Sequence, residues 1–167
     1  LTDIFALQAD IAARIAEAMN ITLLGPEQAA LEAMPTKNLD AYQAYLRGTD
    51  YERRADFAAQ EHVSSALRMF ERAIELDSNF ALAYAHLAYT HAGVFHYGFD
   101  RTPGRLAQAR AAADRALALS PGLPWAHWAL SYYNYWGYRD YDRALEEITL
   151  AEAGLPNDPE IQNTKAY

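Results

Sequence analysis

The side chains able to do chemistry are few, and their spacing argues against most reactions. His86, His91 and His96 recur every five residues, which turns each about 140° from the last on a helix, so the three cannot share a face as metal ligands. Packing and loop positions are the expectation for all three, and no metal or cofactor is expected. Glu146-Glu147 is a carboxylate pair on a helix face expected to be solvated. There is no G-x-S-x-G, glycine-rich phosphate loop, H-E-x-x-H or calcium loop. With no cysteine, thiolate metal sites, disulfides and cysteine nucleophiles are excluded. No enzyme activity is expected.

What stands out instead is an aromatic cluster. All 3 tryptophans and 5 of the 12 tyrosines lie between Trp125 and Tyr141. Aromatic side chains offer large apolar contact with a polar tip, which suits them to protein interfaces as well as to cores.

The elements that must position these residues are helices. The 167 residues include 34 Ala and 19 Leu against 7 Ile and 2 Val. Strands favour β-branched residues and helices favour Ala and Leu, so an all-α fold is predicted. Net charge is −8 with 12 Arg and 2 Lys, and the longest basic run is Arg53-Arg54. Nucleic acid and anionic membrane are therefore poor partners. Two stretches, Ser78–Phe99 and Ala116–Tyr138, carry no charge. The first holds three histidines and Asn79, the second Pro121, Pro124, His127 and Asn134, so protein rather than lipid is expected to bury them. No basic n-region of a signal peptide opens the chain, and a cytoplasmic location is expected, although a parent protein could be membrane-attached.

Internal similarity organises the chain. Ala41-Tyr42-x-x-Tyr45, Ala83-Tyr84-x-x-Leu87 and Ala126-His127-x-x-Leu130 align with one another. Each precedes a second pattern: Ala66, Phe70, Ala73, Ser78; then Ala109, Ala113, Ala116, Pro121; then Ala144, Ile148, Ala151, Pro156. The chain thereby resembles the tetratricopeptide repeat, W-x2-L-G-x2-Y then A-x3-F-x2-A then P, over about 34 residues. The resemblance implies an α-solenoid of antiparallel helix pairs, with the small residues allowing close approach within each pair. The interval from Tyr42 to Ala66 is 24 residues and from Tyr84 to Ala109 is 25, against 17 from His127 to Ala144. The family pattern has about 16, so insertions are expected near Asp50–His62 and Val94–Pro103. Thr102-Pro103 and Asp158-Pro159 read as capped helix starts, and Gly154-Leu155-Pro156 as a stop.

The expected organisation is an N-terminal helical segment over 1–37 packing on the repeats, three repeats over 38–158 (38–80, 81–123 and 124–158) and the start of a truncated fourth over 159–167. The first segment contains an amphipathic helix from Asp3, its cap, to Met19, with Ile4, Leu7, Ile11, Ile15 and Ala18 on one face. Gly25-Pro26 separates it from a short helix around Glu27–Ala33. The broken fourth repeat and the opening Leu suggest a piece of a longer protein. The run Asp3–Ala12, with Pro35-Thr36-x-Asn38-x-x-Ala41-Tyr42-x-x-Tyr45-Leu46-Arg47-Gly48, also resembles the repeat region of bacterial regulators that carry TolB-like segments and adenylate cyclase or winged-helix output domains.

In the tetratricopeptide family one arc of the first helix of each pair lines a concave, peptide-binding groove. Carried over by position, that arc is Asp40, Gln43, Arg47, Asp50 and Tyr51 in the first repeat. It is Leu82, Ala85, Tyr89, Ala92 and Gly93 in the second, and Trp125, Trp128, Tyr132, Tyr135 and Trp136 in the third. The ligand-binding candidates are Tyr89, Trp125, Trp128, Tyr132, Tyr135 and Trp136. The expected function is a protein-interaction module of a regulator, binding a peptide or partner domain. The alternative is a sensory domain taking a small apolar or aromatic ligand. The basic and Asn residues that clamp a C-terminal carboxylate in some family members are absent. A competing reading is burial of the arc by a following repeat, or by a second copy in a homodimer through the hydrophobic solenoid end.

Overall fold

The computed structural model describes residues 35–54 and 60–165, together with Ala6, Leu7, Asp10, Ile11 and Ala13–Ile15. The described fold is all-helical, and no described helix is long and apolar enough to cross a membrane. Among the described residues from 39 onward seven helices follow: α1 Leu39–Arg54, α2 Gln60–Leu76, α3 Ala81–His96, α4 Pro103–Leu119, α5 Pro124–Tyr138, α6 Tyr141–Gly154 and α7 Pro159–Lys165.

They associate as consecutive pairs, α1 with α2, α3 with α4 and α5 with α6. Each pair is antiparallel. Asn38, just before α1, donates from Nδ2 to the carbonyl of Leu76 at the end of α2 (2.9 Å). In the second pair Tyr84 sits under Arg115 while His91 meets Arg105. In the third, Gly154 closes on Pro124 while Tyr135 meets Tyr141. Helices α1, α3 and α5 lie side by side in the same direction: Tyr45 packs on Phe80 and His86, and Tyr89 on Trp128 and Trp136.

Small residues set the spacing inside the pairs. Ala66, Ala73, Ala109, Ala116 and Ala151 are all buried, whereas Ala144 is half-buried. Gly48 goes further: a Cβ there would lie 2.5 Å from Cε1 of Phe70, so only glycine lets α1 approach α2 so closely.

The caps fall where the residues call for them. Thr102 Oγ1 accepts from the amide of Arg105 (3.3 Å), with Pro103 opening α4. Asp158 Oδ1 accepts from the amides of Glu160 and Ile161 (3.0 and 3.3 Å), with Pro159 opening α7. Gly154 is the last residue of α6. The uncharged stretch 78–99 is explained by α3, which packs against α1, α2, α4 and α5 and buries ten of its residues.

The expected insertion at 94–103 divides in two. Val94–His96 lengthen α3, and residues 97–102 form a connection in which Arg101 Nη2 donates to the carbonyl of His96 (3.1 Å). The other expected insertion lengthens α1 as far as Arg54, and residues 55–59 lie outside the described residues. So do the Asp3 cap, Gly25-Pro26 and the short helix at 27–33. Of the amphipathic segment, the described residues are helical, and Leu7, Ile11 and Ile15 are exposed.

Candidate functional site

A half-open cavity of about 520 Å³ lies between α3, α5, α6 and α7. Its walls follow from helical spacing. Tyr132, Tyr135 and Trp136 come from one side of α5, Tyr89 from the facing turn of α3, and Ala144, Leu145 and Ile148 from α6. Tyr97, just after α3, and Tyr141, at the start of α6, complete the rim, while Ser131, Thr164 and Lys165 add polar atoms.

Four of the six candidates from the sequence therefore meet: Tyr89, Tyr132, Tyr135 and Trp136. Tyr89 stacks near Trp128 (4.1 Å between ring centroids) and stands edge-on to Tyr132 (5.0 Å). Burial raises the Tyr89 hydroxyl far above the ordinary phenol range, with Glu52 adding to the effect. Tyr132 and Trp136 lie 4.2 Å apart.

Trp128 and Trp125 are placed elsewhere. Trp128 is 3% exposed and packs in a core with Ile148, Ala151 and Ile161. Helix α7 provides the cover. Thr164 Oγ1 donates its one proton to the carbonyl of Glu160 (2.7 Å), so it accepts from Trp128 Nε1 and from the Tyr132 hydroxyl, both at 3.0 Å. Part of the aromatic arc is thus a seat for α7. Trp125 is half-buried against His86 (5.3 Å). On α3, Ala85, Ala92 and Gly93 are buried in packing. The arc consequently forms a local cavity at one end, with exposed polar Asp40, Gln43 and Arg47 at the other.

The sequence reading missed Tyr97, Tyr141 and the α6 and α7 walls. Family position marks only the first helix of each pair, whereas this cavity closes by the approach of the second helix and the next element. The apolar face of α6, Tyr141-x-x-Ala144-Leu145-x-x-Ile148, carries the signal that would have found them.

The histidines are tied individually. His86 pairs with Glu52 across α3 and α1 at 2.7 Å, where Thr90 also donates to the carboxylate (2.9 Å). His91 Nδ1 accepts from Arg105 Nη1 (2.9 Å), and burial together with that guanidinium pushes its pKa down to about 4. His96 stacks on Trp136 (4.7 Å, 14° between planes). Among the described residues no group of three or more His, Asp or Glu is arranged to hold a metal. Glu147, expected on a solvated face, turns to His127 on α5 (2.7 Å), because a half-buried imidazole there offers it a partner. No family model and no curated protein matches this chain.

Proposed function

We propose that the chain is a protein-interaction module of the tetratricopeptide type, a solenoid within a bacterial regulatory protein, which captures a partner segment by seating bulky apolar side chains in the cavity. The observation that carries this reading is the continuity of the cavity with its rim. Tyr141 and Leu145 line the hollow and are yet 60% and 57% exposed. Aromatic and aliphatic side chains presented to solvent around a concave site are what a protein segment buries on docking. The Tyr135 and Tyr141 hydroxyls would supply polar contacts that fix register, whereas Lys165 is held by Glu152 (2.6 Å).

A second reading is favoured by the cavity's confinement to α3, α5, α6 and α7. About 520 Å³ lies within the range of small-molecule sites, so a compact aromatic ligand would also fit. One experiment separates the two. Peptides selected from a random displayed library against the full chain should be rich in bulky apolar residues and should lose binding on Leu145→Asp. Failure to select any such peptide, together with thermal stabilisation by small aromatic compounds, would favour the ligand reading instead.

A further inference from the structure

The cavity walls discriminate among the ways in which a protein segment can be recognised. They come in the main from helices, whose backbone groups are already bonded within each helix, so the site offers no strand edge for an extended segment to join. No arginine is among the described residues that line it, which disfavours phosphorylated or acidic segments. Lys165 is the one charged residue among them, and Glu152 already neutralises it (2.6 Å). A charged ligand side chain would lose water there and meet no open counter-ion, so charge complementarity calls for a neutral segment.

The neutral surface on offer is aromatic. Six rings line the cavity, those of Tyr89, Tyr97, Tyr132, Tyr135, Trp136 and Tyr141. The Trp136 indole is braced by the stacked His96 ring (4.7 Å), with Tyr97 edge-on (5.9 Å) and Tyr132 against it (4.2 Å). Flat, braced rings suit the faces of pyrrolidine rings, the contact by which aromatic-lined grooves hold polyproline II helices.

The backbone chemistry agrees. An extended segment of ordinary residues would bury N–H groups that helical walls cannot match, whereas proline has no N–H and its carbonyls in polyproline II are unpaired. Tyr135 and Tyr141 lean on each other (5.7 Å), and neither hydroxyl bonds to another described residue. Each needs an acceptor once a ligand covers it. A docked α-helix would supply none, since its carbonyls are used internally.

We infer that the cavity takes a proline-rich segment in the polyproline II conformation. Its pyrrolidine rings pack on Trp136 and Tyr141, and its carbonyls accept from the Tyr135 and Tyr141 hydroxyls. This rests on the segment-capture reading above and names the class of segment captured. A polyproline helix is largely formed before it binds, so docking has little chain left to order.

The test titrates the full chain with acetylated, amidated decaproline and follows tryptophan fluorescence, to which the peptide itself contributes nothing. The signal should change and saturate, while a glycine–serine decapeptide leaves it flat. Tyr141 is 60% exposed, so Tyr141→Ala should keep its helical circular dichroism and yet weaken decaproline at least about tenfold. Tyr141→Phe keeps the ring and loses only the hydroxyl, and should weaken it by about threefold. A flat titration up to millimolar decaproline overturns the inference, as does binding that Tyr141→Ala leaves unchanged. So does tighter binding of an amphipathic leucine–glutamine helix of the same length. If library-selected peptides bind while decaproline does not, this inference fails and the capture reading stands; if none binds, both fall.

Discussion

Glu52 and His86 face each other across α1 and α3 at 2.7 Å, with side chains only 10% and 8% exposed. The pair stitches the first helical unit to the second, with the Thr90 hydroxyl on the other carboxylate oxygen and the Tyr45 ring edge-on to the imidazole (5.4 Å). Removing one partner of a buried pair leaves the other desolvated and unmatched, which costs far more than the pair contributes in net stability. Glu52→Ala should therefore lower unfolding free energy by about 3 kcal/mol. Glu52→Gln, whose amide oxygen can accept from His86 while its amide N–H donates to the Thr90 hydroxyl, should lose less. Urea denaturation followed by circular dichroism decides this, and equal losses for the two variants would show that the carboxylate's charge, not its hydrogen bonds or its volume, carries the contact.

Gly48 offers a steric prediction of opposite sign to helix propensity. Alanine is the better helix former by up to about 1 kcal/mol, but its Cβ would meet the fully buried Phe70 ring at 2.5 Å. Overpacking of that kind costs roughly 1–3 kcal/mol, so Gly48→Ala should be net destabilising. Gly104→Ala is the control. Its Cβ would meet only Thr102 Oγ1, at 3.7 Å, and the substitution should be neutral or slightly stabilising. Thermal midpoints of the two variants test the contrast.

These two cases also mark what the sequence made legible. Helix starts were readable because caps are local: Thr102-Pro103 and Asp158-Pro159 bind amides two or three residues away. The alanine positions were readable because their spacing repeats. Glu52 with His86, and Gly48 with Phe70, were not, since each joins residues more than twenty apart and neither has a periodic signature. Trp128 shows the same limit at the site. Its register matches that of Tyr132, and only the docking of Ile161 and Thr164 from α7 makes one core and leaves the other in a cavity wall.

His91 should make stability depend on pH. Its neutral imidazole accepts from Arg105, with Asp100 bound to that same guanidinium (3.0 Å), and its pKa lies near 4 against an ordinary 6.5. A histidine with a lowered native pKa binds its proton more readily when unfolded. The stabilisation is accordingly complete above about pH 6.5 and is lost as pH falls from there toward 4. At pH 5 the loss from this group should be about 2 kcal/mol relative to pH 8. His91→Gln retains an acceptor for Arg105 and cannot protonate. Its urea midpoint should fall less over the same interval, and a wild-type pH profile in the variant would remove His91 as the cause.

Trp128 and Tyr135 separate core from cavity on a single helix. A substitution of Trp128 and Tyr132 together, which position on the repeat would select as a groove knockout, strips the seat of α7 as well. Trp128→Ala alone removes a large side chain that packs on Ile148, Ala151 and Ile161, and should cost about 3–5 kcal/mol. Tyr135 lies half-buried in the cavity wall, where its ring leans on Tyr141 (5.7 Å). Tyr135→Ala should lower the unfolding free energy by only about 1 kcal/mol, since it trims a wall and opens no sealed void. It should nevertheless weaken library-selected peptides about tenfold, because an aromatic anchor at a docking site carries a large share of the affinity. Measuring stability and peptide affinity on both variants gives a two-by-two result. If Tyr135→Ala destabilises as strongly as Trp128→Ala, the cavity wall belongs to the core and the docking reading fails.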